Sequence, residues 1–383
     1  MSVRRGTGAD LHAPAGKQPE EPARRPSLTI RDVARLAGVS IGTVSKALNN
    51  AGSLRQETRD RVISAAHELG FRPNVLAQSL HRGHSLTVGM ISTDSFGRFT
   101  MPIMEGLEEC LTDRSIAVFM CNATDDAERE ALHVESLLGK RVDGIVVTAR
   151  RADRRPKLQV PRSDVPVIYV FTQVDDPDAY CLVPDDEGGA VLATRHLIGL
   201  GRRRIAHITG PERFEAVRLR ANGYRKTLTA AGLEASDTFY LPGIWSEGWG
   251  REAVAQLFRG KGPQPDAIFC GNDQIARGAA DALRERGVAV PDSVSIVGFD
   301  NWEIMAEATR PPLTSVDMNL KDLGRRAGQS LLDRIAGKRL RGVERLPCTL
   351  VVRGSCGANG NLRAGEIGTV RGKDDAPVFT GSV

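Results

Sequence analysis

Most side chains in this sequence that could do chemistry stand at the wrong spacing for catalysis. Gly38-Val-Ser-Ile-Gly42 matches the GxSxG pattern of a nucleophile elbow. That motif needs a buried strand ahead of its serine. An amphipathic stretch precedes it here, so Ser40 reads better as a helix cap. The seven histidines show no HExxH or other metal-ligand spacing, which a zinc site would require. Asp185-Asp186-Glu187 opens a helical stretch, where acids favour the positive end of the helix dipole. It makes no convincing acid–base pair. Neither a Walker A motif nor a GxGxxG fingerprint occurs. The expectation is a protein that is not an enzyme and uses no metal or cofactor.

Residues suited to recognition gather instead between 29 and 50. Lys46 can donate to guanine O6 and N7 in a major groove. Ile41 offers only apolar contact, for instance with a thymine methyl, and Gly42, which costs a helix about 1 kcal/mol relative to alanine, reads either as a site of close approach to DNA or as neutral drift. Thr29, Ser40, Thr43, Ser45 and Asn49 are short hydrogen-bonding residues suited to phosphate oxygens, which position a protein without reading sequence. The elements that would carry them are legible. Thr29-Ile-Arg-Asp32 has capping-box spacing, and Ile30, Val33, Ala34 and Ala37 recur on one helical face. Gly38 ends that helix, and Ser40 caps a second from Ile41 to about Asn49, with Val44, Ala47 and Leu48 inward. A third stretch follows, with Val62, Ala65, Ala66 and Leu69 in register and Ser53 as its expected cap, three residues before Gln56. Two short helices joined at Gly38-Val39-Ser40 make a helix-turn-helix, whose second helix enters the major groove.

Charge agrees with that placement. Residues 1–84 carry 13 Lys+Arg against 7 Asp+Glu, a net of +6, while the remaining residues sum to −1. A basic head on a near-neutral body implies an anionic partner for the head alone. Six cysteines without CxxC spacing imply reduced thiols. No apolar run approaches the roughly 18–20 residues a membrane span needs. The Arg-Arg pairs near the N-terminus lack an apolar segment after them, so a cytoplasmic, nucleoid-associated protein with no membrane partner is expected.

From residue 86 the pattern changes to short apolar runs at 86–92, 117–122, 143–149, 165–170, 204–210, 239–243, 267–272 and 294–300. Amphipathic stretches such as 101–114, 127–139 and 187–200 separate or follow them. Alternating strand and helix implies parallel sheets covered on both faces. Two sets of four strands imply two similar subdomains, with a ligand cleft beyond the carboxyl ends of the strands. Several polar and aromatic residues, Phe171, Asn272 and Asp300 among them, fall at those strand ends.

Residues 29–83 resemble the lactose-repressor (LacI/GalR) family of bacterial transcription regulators, through TIRDVARLAGVS (29–40), TVSKALNN (43–50), ETRDRVISAAHELGFRPN (57–74) and VLAQSLHRG (75–83). A weaker likeness continues to about residue 356. The resemblance implies an α/β fold: a three-helix helix-turn-helix head, a hinge helix, and a two-subdomain, periplasmic-binding-protein-like core of parallel sheets. It implies a homodimer on a pseudo-palindromic operator, with Asn74 on the DNA backbone, Leu80 wedged in the minor groove and Ala77 letting paired hinge helices approach. In the body, Arg220, Asn272 and Asp300 match the family's effector-contacting residues, Trp245 an aromatic that stacks on ligands, and Phe99 a pocket-lining aromatic. Phe171 stands where purine-sensing members often place a polar contact, which argues against that mode. Arg, Asn and Asp together bind vicinal hydroxyls, so a repressor controlled by a carbohydrate-like effector is expected. The plain structural alternatives are a turn cap at Asp300, a subdomain bridge at Arg220 and a core role for Trp245. The functional rivals are a binding receptor without regulatory output and a regulator sensing a nucleobase or other non-sugar metabolite. The expected domains are an arm (1–26), the head (27–73), the hinge and linker (74–84), the core (85–356) and a tail (357–383). Within the core, one subdomain takes 85–184 plus 316–335 and the other 185–312 plus 340–356. Arg55 departs from the family's frequent serine cap.

Overall fold

A computed structural model describes residues 28–49, 51–71, 84–161, 164–260 and 262–358. The expectations for the arm, for Asn74, Ala77 and Leu80 of the hinge, and for residues 359–383 lie outside the described residues. The chain divides into two compact units, 1–83 and 84–383.

In the first unit, α1 (Ile30–Ala37), α2 (Ile41–Leu48) and α3 (Gln56–Glu68) pack around Val33, Ala34, Ala37, Val44, Ala47, Val62, Ala65 and Ala66. So small a core leaves little margin, and side chains finish the helix ends. Asp32 accepts from the backbone N–H of Thr29 at 3.0 Å and from its hydroxyl at 2.8 Å. Gly38 ends α1 at φ 64°, the left-handed conformation that favours glycine. From α3, Arg61 Nε donates to Ala37 O at 3.1 Å and Arg59 Nη1 to Ala47 O at 3.4 Å, placing cations at the negative ends of α1 and α2. The cap of α3 corrects the expectation for Ser53. Arg55 holds the N-cap position and makes no side-chain cap bond. Gln56 does not reach back: its Nε2 donates forward to Asp60 at 2.9 Å, one helical turn on.

The second unit runs in order β1 (Thr87–Ser92), α4 (Thr100–Thr112), β2 (Ala117–Asn122), α5 (Ala127–Gly139), β3 (Gly144–Thr148), β4 (Val167–Val170) and β5 (Tyr180–Pro184). It continues with α6 (Asp186–Gly199), β6 (Ile205–Thr209), α7 (Glu215–Ala230), β7 (Tyr240–Pro242), α8 (Glu247–Leu257), β8 (Ala267–Cys270) and α9 (Asp273–Glu285). It closes with β9 (Ser295–Phe299), α10 (Glu303–Ala308), β10 (Thr314–Asp317), α11 (Leu320–Ile335), β11 (Gly342–Leu346) and β12 (Thr349–Val351). Two six-stranded sheets result, in the orders β11-β5-β4-β3-β1-β2 and β12-β10-β9-β8-β6-β7. Pairing is parallel except between β10 and β12. Strands such as β3, β6 and β9 are buried throughout, as sheets covered on both faces require.

The four-strand expectation for each sheet is therefore corrected to six. β10 reads Thr-Ser-Val-Asp, β11 is a largely exposed polar edge and β12 has three residues. β10, β11 and β12 present no long apolar run, whereas β5, Tyr-Cys-Leu-Val-Pro, is as long as β3 and lies between two acidic segments. The subdomain boundaries are corrected with them. β11 pairs with β5 in the first sheet, not the second, and β10 through Asp317 belongs to the second sheet, not the first. The chain thus crosses between subdomains three times: after β5, after β10 and between β11 and β12. α11 packs on α4 in the first subdomain, and α6 packs on α7 in the second.

Candidate functional site

The head presents α2. Ser40 Oγ accepts from Thr43 N–H at 3.1 Å and pairs with Thr43 Oγ1 at 2.9 Å, so both hydroxyls serve the helix start. Asn49 Nδ2 donates to Ser45 Oγ at 3.4 Å. Ile41, Gly42 and Lys46 are exposed on one side of the helix, and Ile41 keeps 45% of its surface in solvent. Exposed isoleucine beside an exposed lysine, at the start of a short helix, is costly to leave in water and suited to a groove.

In the body, the cleft between the two sheets is built at strand ends. Asp94, just beyond β1, accepts from the N–H groups of Phe99 (2.9 Å) and Thr100 (3.2 Å) and so fixes the start of α4. Phe99 then stacks on Phe171, with ring centroids 4.9 Å apart. Phe171 follows β4 at φ 57°, a left-handed conformation costly for a bulky residue and held by its N–H bond to Leu182 O at 2.8 Å. Arg220, on α7, is 5% exposed. Its Nε and Nη2 both lie 2.7 Å from Asp186 Oδ1, Nη1 donates to Gly271 O, and the guanidinium stands 3.6 Å from the Phe299 ring centroid. Asp300 follows β9 at φ 100° and lies 3.7 Å from Arg220 Nη1. It also pairs directly with Arg98 from the opposite subdomain.

Phe99, Phe171, Arg220 and Asp300 are thus brought to one cleft, but the subdomain bridge weighed for Arg220 falls to Arg98: Arg220's partners Asp186, Gly271, Phe299 and Asp300 all belong to the second subdomain. Asn272 sits beside the cleft, but its Oδ1 is engaged as the N-cap of α9, accepting from Ile275 N–H at 2.9 Å. Trp245 lies at the carboxyl end of β6, so near Gly210 that a Cβ there would stand 2.3 Å from its ring. It also packs on the second subdomain's core, so the core role weighed for it is part of its environment.

Three residues of the cluster, Arg98, Asp186 and Asp273, were not assigned to the site from sequence. Arg98 lies between two rings, 4.8 Å from the centroid of Phe99 and 4.4 Å from that of Trp302, and its Nε is buried without a hydrogen-bond partner. Asp186, expected only as a helix-opening acid, is buried beneath Arg220, while Asp185 makes the cap by accepting from Gly188 N–H at 2.9 Å. Asp273 accepts from Ser315 Oγ at 2.6 Å and Trp302 N–H at 2.7 Å. Burial pushes its carboxyl up to about 7, with the charge of Asp300 adding to the effect. Burial likewise raises Asp186 and Asp300, against the opposing pull of Arg220 on the first and of Arg98 and Arg220 on the second. Beyond the ends of β1, β3 and β4, a cavity of about 290 Å³ is lined by Thr93, Ala149 and Thr172 among others.

Among the described residues, no group of three or more His, Cys, Asp or Glu could hold a metal, and no helix is long and apolar enough to cross a membrane. All six cysteines are free.

Fold and site together define a DNA-binding head joined to a two-subdomain, ligand-binding body: a ligand-controlled transcription regulator. Residues 29–74 match the model of bacterial regulatory proteins, lacI family, and residues 194–356 that of a periplasmic binding protein-like domain. The HTH-type transcriptional repressor PurR of Aliivibrio salmonicida is 31% identical over 81% of this chain and 93% of its own length. The ribose operon repressor of Escherichia coli K12 is 34% identical over 85% of this chain and 99% of its own. The crystal structure of the Lac repressor dimer bound to operator and the anti-inducer ONPF superposes with a TM-score of 0.71 at 29% identity, covering 86% of this chain and 99% of that one. The chain belongs to the lacI family: it is a DNA-binding transcriptional repressor with an effector-binding core.

Proposed function

We propose that this repressor is switched by an uncharged, polyhydroxylated effector of the sugar class, bound between the subdomains at Arg220 and Asp300. One observation carries the reading. Two carboxylates with buried side chains, Asp186 and Asp300, pair with two guanidinium groups, Arg220 and Arg98, with the Phe99–Phe171 stack at the edge. An anion entering there finds both guanidinium groups already paired with carboxylates, and buried charge without a partner is costly. Sugar hydroxyls donate to the carboxylates and accept from the guanidinium groups, while the C–H faces of the ring pack on aromatic carbon. Trp245 and Asn272 complete the lining from the second subdomain. The relative named for the ribose operon agrees with this class.

In the head, Ile41, Gly42 and Lys46 read base edges in the major groove, while Thr29, Ser40, Thr43, Ser45, Asn49 and Asn74 meet the backbone. Leu80 and Ala77 act in the minor groove as a wedge and a close-packing contact. Two heads of a homodimer face two half-sites of a pseudo-palindrome, and the protein works on the nucleoid in the cytoplasm.

The test is footprinting on DNA upstream of the protein's own gene, repeated with neutral pentoses and hexoses, hexuronates and purine bases. A neutral sugar is expected to change operator affinity by about tenfold or more, within the usual range of coupling between sites. Asp300→Ala should abolish that change. A response confined to purines or to sugar acids would sink the sugar reading, and a missing protected palindrome would sink the operator reading.

A further inference from the structure

The two subdomains also meet away from Arg98 and Asp300. α7 starts at Glu215 and is preceded by Phe214, which has no side-chain oxygen to accept a first-turn N–H. An acceptor comes from the other subdomain: Glu215 N–H donates to Asp153 Oδ1 at 2.7 Å. Asp153 sits within Arg150-Arg-Ala-Asp-Arg-Arg155, in the connection after β3. That connection is fastened to its own subdomain. Asp153 O accepts from Thr172 Oγ1 at 2.9 Å and Gln173 N–H at 3.2 Å, and Arg155 N–H donates to Gln173 O at 2.9 Å. Around the cap, Gln173 Nε2 donates to Glu215 Oε1 at 3.2 Å, and Arg151 stacks 4.9 Å from the Phe214 ring centroid.

We infer that Asp153 is a positioning residue that caps α7 from across the cleft, so that closure of the subdomains completes the helix carrying Arg220. Opening the cleft removes the acceptor and leaves the first N–H of α7 to water. Closure and the start of the helix that seats Arg220 are therefore linked through this hydrogen bond, beside the Gln173–Glu215 contact, whatever effector is bound. The linkage works without ligand, because both of its partners belong to the chain.

The experiment uses the full chain without ligand and four variants. Asp153→Ala removes the cap, whereas Asp153→Asn keeps it, since asparagine caps as well as aspartate. Glu215→Pro removes the N–H together with the glutamate side chain and leaves the helix start intact, because proline suits the first helical position. Phe214 is already extended at φ −82°, ψ 137°, as the residue before a proline requires. Glu215→Ala keeps the N–H and removes the side chain. Small-angle scattering reads the radius of gyration, and hydrogen exchange reads the amides of Ala216 and Val217.

Asp153→Ala and Glu215→Pro are expected to enlarge the molecule and to speed exchange in the first turn of α7 by about fivefold, the size of one lost cap. Asp153→Asn and Glu215→Ala should stay near the parent on both readouts. Faster exchange with an unchanged radius would mean a local cap without coupling, and would overturn the inference. So would parent-like behaviour of Asp153→Ala, or a Glu215→Ala variant as open as Glu215→Pro. If Asp153→Ala fails to fold, Glu215→Pro decides alone.

Discussion

At the scale of single residues, His207 on β6 shows how burial decides protonation. Its Nδ1 lies 2.9 Å from Phe269 O, and a carbonyl only accepts, so Nδ1 carries the proton. Nε2 is left bare and buried without a partner, in a ring stacked 4.5 Å from Phe269 and flanked by Tyr224 and Tyr240. Burial pushes its pKa down to about 3, and the nearby Arg220 and Arg225 oppose a second proton further. Between about 3 and the unperturbed value near 6.5 the unfolded chain binds a proton that the fold does not. Stability from this group is therefore complete above about pH 6.5 and is lost as pH falls toward 3. His207→Phe keeps the stacked ring and removes the titration. Its melting temperature should fall less than the parent's between pH 6.5 and pH 4, at a cost of about 1 kcal/mol at pH 7.5 for the lost hydrogen bond. Parallel melting profiles across that range would show that His207 does not control acid stability.

At the scale of elements, the helices flanking the cleft are set by how closely their backbones approach. α8 and α9 cross with glycine on both sides. A Cβ on Gly278 would stand 2.0 Å from Glu247 O, and one on Gly250 would stand 2.2 Å from Ile275 O. Gly278→Ala must push the pair apart, moving the start of α9, where Asn272 and Asp273 sit. It should destabilise the body by about 2 kcal/mol, or roughly 5 °C in melting temperature. Gly42→Ala has the opposite sign. A Cβ there meets only Ser40 Oγ at 3.8 Å, so the substitution should stabilise the head by about 0.5–1 kcal/mol. Thermal melts for the first variant and hydrogen exchange in α2 for the second check both signs; a neutral Gly278→Ala would mean the crossing can relax. The same elements show what a sequence can carry. β1, β3, β6 and β9 announce themselves because strands buried on both faces must be apolar throughout. β11 does not: Glu344 and Arg345 alternate on an edge, and Glu344 is there to pair with Tyr180 and Arg326. Asp300 stood out at a strand end and Arg220 through the family resemblance, and the two meet in the cleft. Arg98 had no such signal, because its meaning lies in a partner 202 residues away and two rings from different subdomains.

At the scale of the whole molecule, the charge asymmetry bears on how DNA is held. Residues 1–84 carry +6, of which +2 belongs to residues 1–26 and +4 to residues 27–84, while the body carries −1. A near-neutral body adds little attraction for phosphate, so the salt dependence of operator binding belongs to the heads. Two heads bring an excess of +8 from residues 27–84 and +4 from the arms. Each neutralised phosphate contributes a slope of about −0.9 to log affinity against log salt. Head charge alone therefore predicts a slope of about −7, and full engagement of the arms about −11. The arm sequences mix both signs of charge, with 5 Lys+Arg against 3 Asp+Glu in residues 1–26, and show no helical periodicity. Deleting residues 1–26 should accordingly leave the slope near −7 and operator affinity at 0.15 M salt within about threefold of the parent. Fluorescence anisotropy across a salt series measures both. A parent slope near −11 that the deletion reduces by about 4 would assign the arms a direct part in holding DNA, and the head's small excess would no longer account for the attraction.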